Sequence, residues 1–242
     1  ALLLQRPFAE QRVYKNERSY LFEGLRSLAI WPHTEFAGTV NKLEAAAPEL
    51  RQELIKLLSG ANQTQEGKGW LPHAEGLHTG VWQKLELWSH GQKDASNCRL
   101  LPRHAAVIDS LPHLMRDAPG RVSLSFMLPG TQVHPHCGPS NHRLRLHLPL
   151  LLPRGLREMP GLTVARQKQV WQLGKCIIFD DSFEHEVDVP CDDDSDSELD
   201  LCTSARVVLV VDLRHPDMVI TQNSVRDGGE TVACTDHMST VC

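Results

Sequence analysis

Residues 1 to 34 mix polar and apolar groups without a clean period, and Trp31-Pro32 reads as a turn. From Glu35 the pattern changes. Phe36, Val40 and Leu43 recur at helical spacing, and Leu50, Leu54, Leu57 and Leu58 carry the same spacing past Pro48. Proline has no backbone N–H and crowds the preceding turn, so two helices are expected here, with Pro48 in the first turn of the second. Gly60 to Gly69 is polar and glycine-rich and reads as a loop. Rough alternation over Val81 to Trp88 begins a strand-rich region, with one more short helix expected at Ala105 to Met115. Arg121 to Leu128 alternates like a half-buried strand and is turned by Pro129-Gly130. From His142 to Leu148, Leu144, Leu146 and Leu148 share one face, and Arg143, Arg145 and His147 share the other. Further strands are expected at Leu162 to Val170, Lys175 to Phe179 and Ala205 to Leu213, with Gly174 turning between two of them. Helices followed by about eight strands predict a mainly β fold, an antiparallel sandwich or barrel with a helical buttress.

Length and charge narrow this only slightly. The 242 residues suit one large domain or two small ones. Lys and Arg number 25 against 30 Asp and Glu, which excludes a generally basic nucleic-acid binder. Six of those acids lie between Asp192 and Asp200, and without them 24 acids face 25 bases. One short run therefore sets the sign of the whole chain. No stretch reaches the roughly 18 to 20 apolar residues that cross a bilayer as a helix. Seven cysteines are present with no CxxC spacing, so a zinc knuckle is not expected. Cys191 and Cys202 bracket the acidic run, either as a disulfide in an oxidising compartment or as thiols. Asn62-Gln63-Thr64 is a single glycosylation sequon.

The polar groups of the later strands hold the candidate chemistry. Arg145 and His147 on one strand face would line a cavity if the sheet closed, and cationic walls suit an anionic ligand, above all a carboxylate. A solvated strand face is the plainer reading of the same residues. His136 follows a turn in His134-Pro135-His136-Cys137-Gly138-Pro139, and His185 ends a run that follows an apolar strand. Paired imidazoles at strand ends suit iron, zinc or copper. Asp180 and Asp181 read equally well as turn or cap residues.

These strings resemble one family. Pro129-Gly130-Thr131, His136 to Asn141, Arg143 to Leu148, Phe179 to Val187 and Arg206 to Pro216 are similar to the catalytic domain of the aspartyl/asparaginyl beta-hydroxylases, with a weaker likeness over Trp82 to Cys98. The resemblance implies a double-stranded β-helix of the jelly-roll, cupin-like kind. It implies an iron(II)- and 2-oxoglutarate-dependent dioxygenase that uses dioxygen to hydroxylate the β-carbon of Asp or Asn in a peptide or protein. His136 and His185 match the iron ligands, with Gly138 where related oxygenases place an acid. Ser125, Met127, Arg145, His147 and Arg206 match groups at the 2-oxoglutarate site, and Arg206 would pair with the distal carboxylate. Arg143 and His134 fall at substrate-facing positions. One catalytic domain follows: a helix-rich part over 1–80, a β-helix core over about 81–217, and a tail over 218–242. The likeness points to the endoplasmic reticulum membrane or lumen, with the cytoplasm as the alternative and a membrane anchor possible outside this sequence. No nucleic-acid partner is expected.

The chain also departs from the family pattern. His73 to Leu77 lacks the acidic pair and arginine of relatives that act on EGF-like domains. A family disulfide beginning near Cys98 lacks its second cysteine, and Arg103-His104-Ala105 stands there. His134 replaces a tryptophan. The segment from His185 to Arg206 is longer than the family's and carries the acidic run, which is expected to bulge at the mouth of the site. A related oxygenase acting on a non-peptide substrate, and a catalytically inactive binding domain of the same fold, are the alternatives.

Overall fold

The computed structural model describes residues 21–60, 69–74, 76–191 and 204–218. After a 3-10 turn at His33–Phe36 the first helix, α1, runs unbroken from Ala37–Leu58, with Pro48 inside it. The expected break does not occur. Val40, Leu43, Ala47, Leu50, Leu54 and Leu57 form one continuous buried stripe, while Pro48 lies on the exposed face. A proline inside a helix costs roughly 3 kcal/mol, and burying each large apolar side chain returns roughly 1.5–3 kcal/mol, so the stripe prevails. Two short helices follow, α2 (Ala95–Leu100) and α3 (Pro102–Asp109). α3 is shorter than the expected helix and starts with proline at its first turn. Its N-terminus has no cap of its own. Glu53 of α1 supplies one, accepting from the backbone N–H of Arg103 at 2.9 Å and of His104 at 3.0 Å. The His104 ring also meets this carboxylate, at 2.7 Å, so the start of α3 is tied to α1 by a buried hydrogen bond.

Among the described residues, twelve strands form two antiparallel sheets. They are β1 (Leu71–Pro72), β2 (Leu77–Thr79), β3 (Trp82–Ser89), β4 (Gln92–Lys93), β5 (Val122–Met127), β6 (Thr131–His136), β7 (Arg143–Leu151), β8 (Gly161–Val164), β9 (Gln167–Val170), β10 (Ile177–Phe179), β11 (His185–Val189) and β12 (Arg206–Arg214). The larger sheet runs β1-β3-β5-β12-β7-β10 with β4 beside β3, and the smaller runs β2-β6-β11-β8-β9. This is the expected jelly-roll architecture with a helical buttress.

Strand alternation sorts the residues into two cores. In β5, β7 and β12 one parity, including Leu124, Leu144, Leu146, Leu148, Leu209 and Val211, joins the cluster formed with the helices. The other parity turns inward between the sheets. There Met127 and Val208 join Val133, Leu162, Val164, Trp171, Phe179, Phe183 and Val187 from facing elements. Because both faces are covered, a polar group of the inward parity that lacks a partner carries a cost.

Two differences from the expected strands have local causes. Leu162 to Val170 is a hairpin, β8 and β9, turning at Ala165 (φ 47°) and Arg166 (φ 65°). Its left-handed turn carries neither the glycine nor the asparagine that signals one in sequence. The second difference concerns the acidic run, which itself lies outside the described residues, as do Cys202 and the sequon. Its flanks are described. β11 pairs His185 with His136 at one end and Val189 with Thr131 at the other. Cys191 therefore leaves from the Val189 end, and β12 begins at Arg206 beside Met127. The insertion joins the end of the barrel remote from the histidine pair, not the end that carries it.

Candidate functional site

His136 and His185 are brought together by a bulge. Three steps along β6, from Val133 to His136, face two steps along β11, from Val187 to His185. In β6, Thr131 and Val133 point inward and Gln132 and His134 point outward. The extra residue reverses the alternation and turns His136 inward, a common use of bulges beside active sites. The two rings lie with centroids 4.1 Å apart. Each Nδ1 donates to a backbone carbonyl two residues earlier, His136 to His134 at 2.8 Å and His185 to Phe183 at 2.9 Å. A carbonyl can only accept, so in its neutral form each ring carries its lone pair on Nε2. Burial, followed by the neighbouring His136, pushes His185 down to about 3, and the ring is neutral at physiological pH.

No third side chain completes a metal-binding cluster of His, Cys, Asp or Glu among the described residues. Gly138 explains part of this. A Cβ there would stand 2.5 Å from the Asp181 carboxylate, whose backbone carbonyl accepts from the Gly138 N–H. Asp181 thus fills the space that a side chain at position 138 would need. Arg143 reaches its Oδ2 at 2.8 Å and Arg145 at 3.2 Å, while Oδ1 is buried with no hydrogen-bond partner. Burial works against the charge, but the two arginines hold the Asp181 carboxyl down at about 2. Asp212 binds the same arginines from the other side, at 2.8 Å and 3.3 Å. Arg143 is thus enclosed between two carboxylates, and Arg145 keeps a partly exposed edge. Asp180 forms a turn with the Ser182 N–H, and burial pushes its carboxyl up to about 8.

Arg206 occupies the other end of the interior. It is 1% exposed, and no carboxylate reaches it among the described residues. Its guanidinium carbon lies 4.1 Å over the Trp171 ring, its Nη1 donates to Ser125 Oγ at 2.9 Å, and its Nε has no partner. Burial lowers its pKa to about 9. Ser125 Oγ also accepts from Trp82 Nε1 at 3.0 Å, so its own O–H remains to donate. Met127 is buried opposite Arg206 in the sheet register. His147 lies between the two ends, near Trp171 (6.0 Å), with its ring against Phe179 (4.9 Å), and Phe179 meets His185 at 5.5 Å. Burial and the surrounding cations keep His147 neutral, and its Nδ1 is buried without a partner.

The interior therefore brings together His136, His185, Ser125, Met127, Arg145, His147 and Arg206. His134 stands on the outer face instead. Trp171, Trp82, Asp181 and Asp212 are site neighbours that sequence reasoning did not assign. For Asp212 a signal existed, because it continues the inward parity of Arg206 and Val208 along β12.

A model of the family described as aspartyl/asparaginyl beta-hydroxylase matches residues 44–216. Human aspartyl/asparaginyl beta-hydroxylase is 33% identical over 203 residues, covering 82% of this chain and 24% of that protein. Human aspartate beta-hydroxylase domain-containing protein 1 is 33% identical over 165 residues, covering 68% of this chain and 38% of that protein. The chain thus spans about a quarter of the length of the first of these relatives. Among solved structures, a Pseudomonas putida prolyl-4-hydroxylase aligns over 73% of this chain and 87% of its own, at 14% identity and a TM-score of 0.36. That score adds nothing to the two-sheet architecture already described. The family match covers the larger part of the chain, including the bulged histidine pair, the enclosed arginines and β12, and by it the chain belongs to the aspartyl/asparaginyl beta-hydroxylase family.

Proposed function

We propose that this chain is an iron(II)- and 2-oxoglutarate-dependent dioxygenase that hydroxylates the β-carbon of Asp or Asn residues in a peptide or protein. One observation carries the reading: a histidine pair, with His185 held neutral by burial, shares the barrel interior with a buried arginine that lacks an anionic partner among the described residues. The donor set fits the cofactors. His136 and His185 would hold the iron through Nε2, since the backbone carbonyls fix both tautomers. Arg206 would pair with the distal carboxylate of 2-oxoglutarate, using its unpartnered Nε, and Ser125 would add its O–H. When bound, iron and 2-oxoglutarate supply dioxygen activation coupled to oxidative decarboxylation of the keto acid to succinate and carbon dioxide.

The chain's own groups orient and balance charge. The Trp171 ring, 4.1 Å from the guanidinium carbon of Arg206, packs against that group and limits its movement. Asp181 sets a negative charge beside a histidine pair that has no acid of its own, and Arg143 keeps that carboxylate in place. Arg145 keeps an exposed edge for an anionic group, either cofactor or substrate. Phe179, Phe183 and Val187 line the interior with buried apolar groups.

The test is turnover. Purified protein given iron(II), ascorbate, 2-oxoglutarate and a panel of Asp- and Asn-containing peptides should form succinate together with a hydroxylated peptide. Absence of both across the panel, with metal binding confirmed, would falsify the proposal.

A further inference from the structure

A second pair of histidines lies outside the interior. His78 of β2 and His134 of β6 are both exposed, with ring centroids 4.1 Å apart and planes at 40°. The buried pair has the same separation, 4.1 Å, and planes at 49°. Both pairs sit across neighbouring antiparallel strands of the smaller sheet, and β6 supplies one ring to each. The β6 bulge accounts for the division, turning His136 inward and leaving His134 outward. Neither His78 nor His134 makes a ring-nitrogen hydrogen bond among the described residues. Two imidazoles in tilted contact in water gain little from each other, whereas a shared ion uses a lone pair from each.

We propose that His78 and His134 form a second metal site, for a late first-row divalent ion such as zinc(II), with water completing the coordination. Imidazole is a preferred ligand of zinc, nickel and copper, and an exposed pair leaves positions for solvent. The site has a mechanical consequence. β2 is a three-residue edge strand, and an ion held by one ring from each strand would clamp it to β6. Gly76, at the start of β2, lies over His136, and a Cβ there would be 3.8 Å from its Nδ1. The clamp would therefore fix the strand that borders the inner pair. The inference is independent of the function proposed above, because it uses neither inner histidine.

The test uses zinc(II) itself and untagged protein, followed by calorimetric titration and by imidazole NMR signals. The surface variant His78→Ala/His134→Ala is expected to bind one equivalent fewer than the natural chain. In the His136→Ala/His185→Ala background, zinc should still perturb the His78 and His134 signals and raise Tm, and adding the two surface substitutions should abolish both effects. An unchanged stoichiometry in the surface variant would overturn the proposal, even if the inner-pair variant proved too unstable to study. Absence of turnover in the natural chain, with the outer equivalent bound, would count against the oxygenase reading alone.

Discussion

Arg206 is where local stability and proposed function pull apart. A guanidinium buried without a carboxylate is a cost to the folded chain, visible in its pKa lowered to about 9. Even a buried ion pair is often replaced by apolar side chains of similar volume at no cost or with a gain of roughly 1–4 kcal/mol, and a lone buried guanidinium lacks the pair's attraction. Arg206→Met is therefore expected to raise Tm of the ligand-free protein and to remove the further rise that 2-oxoglutarate gives the natural chain. Differential scanning calorimetry with and without the keto acid checks both. A destabilised variant that still responds to 2-oxoglutarate would show that Arg206 is a structural cation. Arg206 was legible in sequence because it opens an apolar strand and matches a family string. Trp171 was not, because its partner is 35 residues away and only the closed barrel stacks them.

At the scale of elements, several junctions depend on contacts that no local pattern records. The N-terminus of α3 is capped from α1, so propensity placed this helix but could not set its start. Glu53 is buried, and although burial works to raise its carboxyl, the His104 ring and two backbone N–H groups bring it below the ordinary value. Its ionised form therefore contributes stability above the unfolded carboxyl value near 4.3, and that contribution is lost as pH falls through the lowered folded value. Glu53→Gln should cost roughly 1.5–3 kcal/mol at neutral pH. The gap from the natural chain should narrow on acidification, as chemical denaturation at several pH values would show. The β8–β9 turn gives a second case. Arg166 sits at φ 65°, where glycine is unstrained. Arg166→Gly should be neutral or stabilise by up to about 1 kcal/mol, whereas Lys168→Gly within β9 should cost about that much. The same denaturation measurements give both signs. α1 shows the opposite relation: its buried stripe was legible, and only the weight given to Pro48 was misplaced.

For the whole molecule, the alternation of β5 and β7 separated an apolar from a polar face, while the sorting of those faces into two cores shows only in the folded sheets. The direction of His134 was not foreseen, because a one-residue bulge shows only in the register between strands. The acidic run was legible as an insertion but not as an attachment to the Val189–Arg206 end. Deleting residues 192–200 should leave iron binding at the histidine pair unchanged, since it removes none of that end. It should shift stability by less than about 1 kcal/mol, because loop-closure entropy changes slowly with length. Equilibrium unfolding and an iron titration would check these outcomes. The central claim is that His136, His185 and Arg206 form a single site for metal and keto acid. Anaerobic absorption spectroscopy tests it most directly, because iron(II) chelated by 2-oxoglutarate absorbs visible light and neither component does so alone. The natural chain should show the band only with both components present. His185→Ala should lose it, and Arg206→Met should require far more 2-oxoglutarate to reach it. A band of equal strength and affinity in all three proteins would contradict the claim.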